Sequence, residues 1–228
     1  MAIVDVSEMF LTFIREQAAN LVTKHTLPES NQEWNLKRTE IRKKLVKALG
    51  GFPDNKCDLE PELVGELKFE GYVVEKVIIQ TIPRVQLTAN VYRPDGEGPF
   101  PAVLCVHGHW KGAKQDPTVQ SRCIGLAKLG FVAMAVDACG AGERGIEQAL
   151  GEYHGEMTAA TLYATGRNLA GIQVYENIRC ADYLQSRTDV DGEKLAITGT
   201  SGGGNQTMYA GALEERFKAV IPVCSVGN

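Results

Sequence analysis

The sequence predicts an α/β fold, a mostly parallel twisted sheet with helices on both faces. Three observations predict it. Short apolar runs at Ala102 to Val106, Phe131 to Val136, Lys194 to Thr198 and Ala219 to Val223 read as buried strands. Helical stretches at Val119 to Leu129 and Leu169 to Gln185 alternate with them, the order that right-handed crossovers and a parallel sheet require. The third run leads through Gly199-Thr200-Ser201-Gly202-Gly203-Gly204 straight into a helix ending near Glu215, so strand and helix are joined by a turn of small residues.

The elements before the sheet are helical. From Glu8 to Lys24, Met9, Phe10, Phe13, Ile14, Leu21 and Val22 recur at helical spacing. After a turn at Pro28 to Asn31, a second helix runs from about Glu33 to Leu49 and stops at Gly50-Gly51-Phe52-Pro53. Its lysines and arginines alternate with Leu36, Ile41, Leu45 and Leu49, which reads as a solvated face over an apolar stripe. Strand grammar starts at Gly71. Val73 to Thr81 and Leu87 to Tyr92, joined at Pro83-Arg84, read as an antiparallel pair. The segment from Asp137 to about Thr158 is irregular. The expected division is a helical extension over 1–66 and an α/β domain over 67–228.

Composition sets bounds on partners. The 228 residues suffice for one sizeable core, with 44% hydrophobic and 23% charged residues. A net charge of −4 gives no reason to expect nucleic acid or an anionic membrane surface. No apolar run is long enough to span a bilayer, and the first residues do not read as a signal peptide. The six cysteines form no Cys-x-x-Cys pair. Cys105 and Cys224 lie in apolar runs, and reduced, buried thiols in a cytoplasmic setting are expected. No cofactor and no metal is expected, and the oligomeric state is open.

Three motifs carry chemistry. Gly-x-Ser-x-Gly between strand and helix places the Ser201 hydroxyl on a tight turn at the carboxyl edge of a sheet, with the Gly202 N–H at a helix start. His107-Gly108-His109-Trp110 follows an earlier strand, so its backbone can face the serine, and the His109 N–H is the expected second oxyanion donor with Trp110 as the fallback. The His107 side chain is expected to bond nearby backbone; a general-base role is the weaker alternative. Asp137-x-x-Gly140-x-Gly142-x-x-Gly145 matches a dinucleotide-binding pattern literally. The polar segment after it holds no prompt helix or strand, so it reads as a structured loop beside the cleft, with Asp137 and Arg144 in ion pairs or caps.

Together with Ser186 to Asp191, these motifs resemble the α/β-hydrolase superfamily, in a branch similar to acetyl xylan esterase-like and dienelactone hydrolase-like enzymes. The resemblance covers roughly residues 71 to 224. It implies a serine carboxylic-ester hydrolase acting on a small-molecule or carbohydrate ester, with carbohydrate acetyl esters a candidate. It also implies a triad ordered Ser, acid, His. After Ser201 this sequence has Glu214 and Glu215 and no histidine. The expectation is therefore an α/β-hydrolase domain lacking its C-terminal strands, with acid and base on later sequence. A peptidase of the same fold and a silent binding or scaffold protein are the alternatives.

Overall fold

A computed structural model describes residues 6–24, 26–145 and 156–225. The chain forms two compact units, residues 1–43 and 44–228. The first contains α1 (Val6–Val22) and most of α2 (Asn31–Ala48). Ser30 accepts the Glu33 N–H while the Glu33 carboxylate accepts the Glu29 N–H, a reciprocal cap at the start of α2. The predicted apolar stripe of α1 exists, but Met9, Phe10, Phe13, Ile14, Leu21 and Val22 are all exposed. On α2 the stripe is only partly used. Leu36 and Ile41 are exposed, whereas Leu45 and Leu49, in the second unit, pack on the core.

The second unit is a seven-stranded sheet in the order β1-β2-β3-β5-β4-β6-β7. β1 (Glu62–Phe69), β2 (Tyr72–Ile82) and β3 (Val85–Pro94) form an antiparallel meander, turning at Pro83-Arg84 as expected. β3 then runs antiparallel to β5 (Val132–Val136), while β5, β4 (Phe100–Val106), β6 (Val190–Thr200) and β7 (Phe217–Val223) are mutually parallel. β2 points the same way as these four, so the sheet is mostly parallel. β1 was not anticipated, and it begins before the expected boundary at residue 67. Gly65 and a register shift between Leu63 and Gly65 interrupt its alternation, and its residues are mostly exposed.

Each face of the sheet is covered as the alternation predicts. α3 (Pro117–Lys128), capped by Asp116, packs Val119, Cys123 and Ala127 on Val103, Cys105, Ala133 and Ala135. On the other face, α5 (Leu169–Ser186) and α6 (Gly202–Leu213) cover Leu104, Val106, Met134 and Ile197. Asn168 caps α5 through the Gly171 N–H. α4 (Glu156–Ala164) lies partly within the segment expected to be irregular. Among the described residues β1 is the outer strand at one edge and β7 at the other, with Val220, Ile221 and Val223 of β7 exposed. All six cysteines are free; Cys105, Cys123 and Cys180 are buried as expected, whereas Cys57 and Cys139 are half-buried and Cys224 is exposed at the end of β7. No helix among the described residues is long and apolar enough to cross a membrane.

The consequence for function is positional. The carboxyl ends of β4, β5, β6 and β7 open on one edge of the sheet, the place where open α/β sheets bind ligands.

Candidate active site

Ser201 stands at the end of β6 with φ 60° and ψ −122°, a backbone conformation that L-residues rarely adopt. The surroundings hold it there. Its N–H donates to Val223 O on β7 at 2.9 Å, and its carbonyl accepts from the Ser225 hydroxyl. The Ser201 side chain makes no capping bond to α6, although the residue occupies the cap position. Its hydroxyl is thus not consumed in building the helix that it begins. Gly202 is the first residue of α6, where backbone N–H groups face outward and the dipole favours an anion.

The loop after β4 lies against this turn. A Cβ on Gly108 would sit 2.6 Å from Thr200 O and 3.1 Å from Ser201 Cβ, so only glycine permits the approach. His109 and Gly202 both line a cavity of about 530 Å³, whose walls include Leu169, Gln173, Gln206 and Tyr209. No Asp, Glu, Lys or Arg lines it among the described residues. Trp110 is removed as a fallback oxyanion donor, because its N–H already bonds Gly108 O at 2.9 Å.

His107 is buried, and both ring nitrogens bond the backbone. The Ala138 N–H donates to Nε2 at 3.2 Å, which leaves the proton on Nδ1, 2.9 Å from Gly108 O. This is the backbone-bonding role expected of it rather than that of a base. Burial holds its pKa below the ordinary 6.5, against the opposing bond to Gly108. Between the folded pKa and 6.5 the unfolded chain binds a proton that the folded chain does not. Stability should therefore fall as pH drops below 6.5. Thermal melts from pH 7 to pH 5 should show a shallower pH dependence in His107→Asn than in wild type; equal slopes would refute this assignment. His109 is exposed, with its imidazole lowered by partial burial. His154 lies outside the described residues.

The glycine-rich loop after β5 does not form a phosphate cradle. Gly142 stands in a 3-10 turn, Gly142–Arg144, and a Cβ there would fall 2.3 Å from Asp137 Oδ1. The space is filled by the protein's own carboxylate. Asp137 is buried and accepts from the Lys114 N–H at 3.1 Å, the Lys114 ammonium, the Thr88 hydroxyl at 2.9 Å and the Glu143 N–H at 3.2 Å. Arg144 donates to Asp137 O at 3.1 Å and holds Glu176 of α5 through both amino groups, at 2.8 and 2.5 Å. Ion pairing of Asp137 and Arg144 was expected; the partners Lys114 and Glu176 were not, since they lie 23 and 32 residues away in sequence. Glu214 is no triad candidate in this arrangement. It caps α6 and pairs with Arg216, which keeps its carboxyl below the ordinary range despite partial burial.

With this geometry in view, a sequence profile described as the Abhydrolase family matches residues 11–222. The chain belongs to the Abhydrolase family. It is 29% identical over 201 residues to YtaP of Bacillus subtilis strain 168, described as a hydrolase, covering 82% of this chain and 64% of that protein. It is 26% identical over 163 residues to the acetyl esterase Axe7A of Xylanibacter ruminicola, covering 67% of this chain and 35% of that protein. Among solved structures, methylesterase BT1017 superposes with a TM-score of 0.76 at 30% identity, over 92% of this chain and 45% of that one. This member of the Abhydrolase family thus spans less than two thirds of the length of each of these relatives.

Proposed function

We propose that this Abhydrolase-family protein is a serine carboxylic-ester hydrolase that removes acetyl or similarly small acyl groups from neutral, carbohydrate-like alcohols. The observation that carries the reading is Ser201, held at positive φ at the mouth of the sheet with no capping role for its hydroxyl. Ser201 Oγ attacks the ester carbonyl, and the Gly202 and His109 N–H groups hold the oxygen that becomes negative. The tetrahedral species collapses, the alcohol leaves with a proton, and water then hydrolyses the acyl-serine to the free acid and serine.

Two relatives, an acetyl esterase and a methylesterase, support ester hydrolysis, and the acetyl esterase supports the small-acyl choice. The uncharged amide and phenol groups on the cleft wall support a neutral substrate over a peptide or an acid. The His107 ring is committed to backbone and is not the base in this reading. Six unpaired thiols fit a reducing, cytoplasmic setting.

The full gene product should hydrolyse p-nitrophenyl acetate and acetylated sugars. In that protein His109→Ala should keep kcat within about fivefold of wild type, because the substitution spares the backbone donor and a truncated exposed side chain forfeits on the order of one hydrogen bond. A loss of three or more orders of magnitude would make the imidazole the base and overturn the assignment.

A further inference from the structure

We propose that Asp137 is a positioning residue that fixes the loop carrying the His109 N–H, an inference that rests on the oxyanion role given to that group above. The loop from His107 to Asp116 has two apolar anchors, Trp110 packed half-buried against the apolar cluster under α3 and Ala113 buried against Ala138 and Ala141. Lys114, the other residue buried beyond Gly108, is buried through ionic partners. Its path is a chain of tight turns, with Trp110 N–H bonding Gly108 O, Ala113 N–H bonding Trp110 O and Gln115 N–H bonding Gly112 O. Ala113 stands at φ 48°, a strained value for a residue with a Cβ.

The two ends of this loop are tied to adjacent residues at the exit of β5. At the near end, the Ala138 N–H holds the His107 ring, which reaches Gly108 O through its other nitrogen. At the far end, the Asp137 carboxylate takes both the backbone N–H and the ammonium of Lys114. Asp137 is held in turn from three sides, through its carboxylate and its backbone carbonyl. Thr88 on β3 and the Glu143 N–H bond Oδ2, and Asp137 O is held by Arg144, clamped to Glu176 on the cleft-lining helix α5. His109 therefore sits on a strap pinned at both ends by directional bonds. A buried ion pair is often replaceable by apolar groups without loss of stability, so stability alone does not account for one here. Apolar packing would hold the strap in place but would not aim it, and an oxyanion donor acts only when aimed to within a few tenths of an ångström.

The test uses the full gene product and p-nitrophenyl acetate. Asp137→Asn keeps the shape but turns an amide donor either toward the Lys114 N–H or toward the Lys114 ammonium, the Thr88 hydroxyl and the Glu143 N–H. We expect kcat to fall on the order of 10²-fold, the scale of losing one oxyanion donor, with KM changed by less than about twofold. Affinity for a boronic acid that forms a tetrahedral adduct with the serine should fall by the same factor as kcat/KM. Thr88→Val removes one donor to the same carboxylate from outside the loop and should lower kcat about fivefold, again at constant KM. Wild-type kcat in Asp137→Asn overturns the proposal, as does a loss confined to KM with boronate affinity intact. If Asp137→Asn does not fold, an unchanged kcat in Thr88→Val overturns it and the selective fall supports it. Ser201→Ala run in parallel separates the premises. An inactive Ser201→Ala beside a fully active Asp137→Asn sinks only the positioning role, whereas an active Ser201→Ala sinks the esterase reading and this proposal with it.

Discussion

Ser201→Ala in the full gene product should reduce p-nitrophenyl acetate hydrolysis on the order of 10⁶-fold in kcat, to the floor of the assay, with the fold intact. The argument starts from what the substitution leaves in place. Alanine has a Cβ like serine, so the strain at φ 60° is carried unchanged. The bonds that hold the turn use the Ser201 N–H and carbonyl, to Val223 and Ser225, and survive. The hydroxyl makes no cap to α6, so its removal orphans no helix donor. Only the nucleophile is lost, and the oxyanion donors that remain can support residual catalysis of about 10³–10⁴-fold over water. A fluorophosphonate probe should label wild type on Ser201, by mass of the tryptic peptide, and leave the variant unlabelled. A Ser201→Ala protein with more than a few per cent of wild-type turnover, or labelling elsewhere in the cleft, would end the serine-hydrolase reading.

The elbow was legible because everything that defines it is local. An apolar run, a turn of small residues and a helix lie within about twenty positions, and that order admits few other folds. The parallel strands were legible for a related reason: β4 and β5 are buried on both faces, so their sequences are continuous apolar runs. β1 was missed because it is an outer strand with a glycine at a register shift and exposed charges on either side of it. The exposure of the α1 stripe was equally hidden, since periodicity reports that a helix has an apolar face and not what covers it. The support of the site was the least visible part. Lys114 looks like one more loop lysine until the topology brings the exit of β5 beside it, and Glu176 looks like a helix surface residue although it is buried against Arg144. Contacts across 23 to 32 residues leave no periodic trace in a single sequence.

Gly203→Ala should damage both stability and turnover, lowering stability by about 3 kcal/mol and kcat on the order of 10²-fold in the full gene product. A Cβ at this position would lie 2.4 Å from Val106 O and 2.8 Å from both the carbonyl carbon and oxygen of His107. All three neighbours are backbone atoms, so no side chain can rotate away to admit the methyl. The end of β4 and the first turn of α6 must separate instead, by about 1 Å to restore ordinary contact. That is the seam across which Ser201 and the His107–His109 loop face each other, so the displacement reaches the reacting groups as well as the core. For a chain of this size the stability loss corresponds to a fall in melting temperature of about 6–12 °C. Gly125 supplies the contrast within the same molecule: it lies in α3, nothing stands within 4 Å of the Cβ it would carry, and it has no positive φ. Gly125→Ala should accordingly raise stability by about 0.5–1 kcal/mol through helix propensity and leave kcat unchanged. Melting curves and p-nitrophenyl acetate kinetics on the two variants decide the matter, and a Gly203→Ala protein that melts and turns over like Gly125→Ala would show that β4 and α6 are not in contact at the elbow.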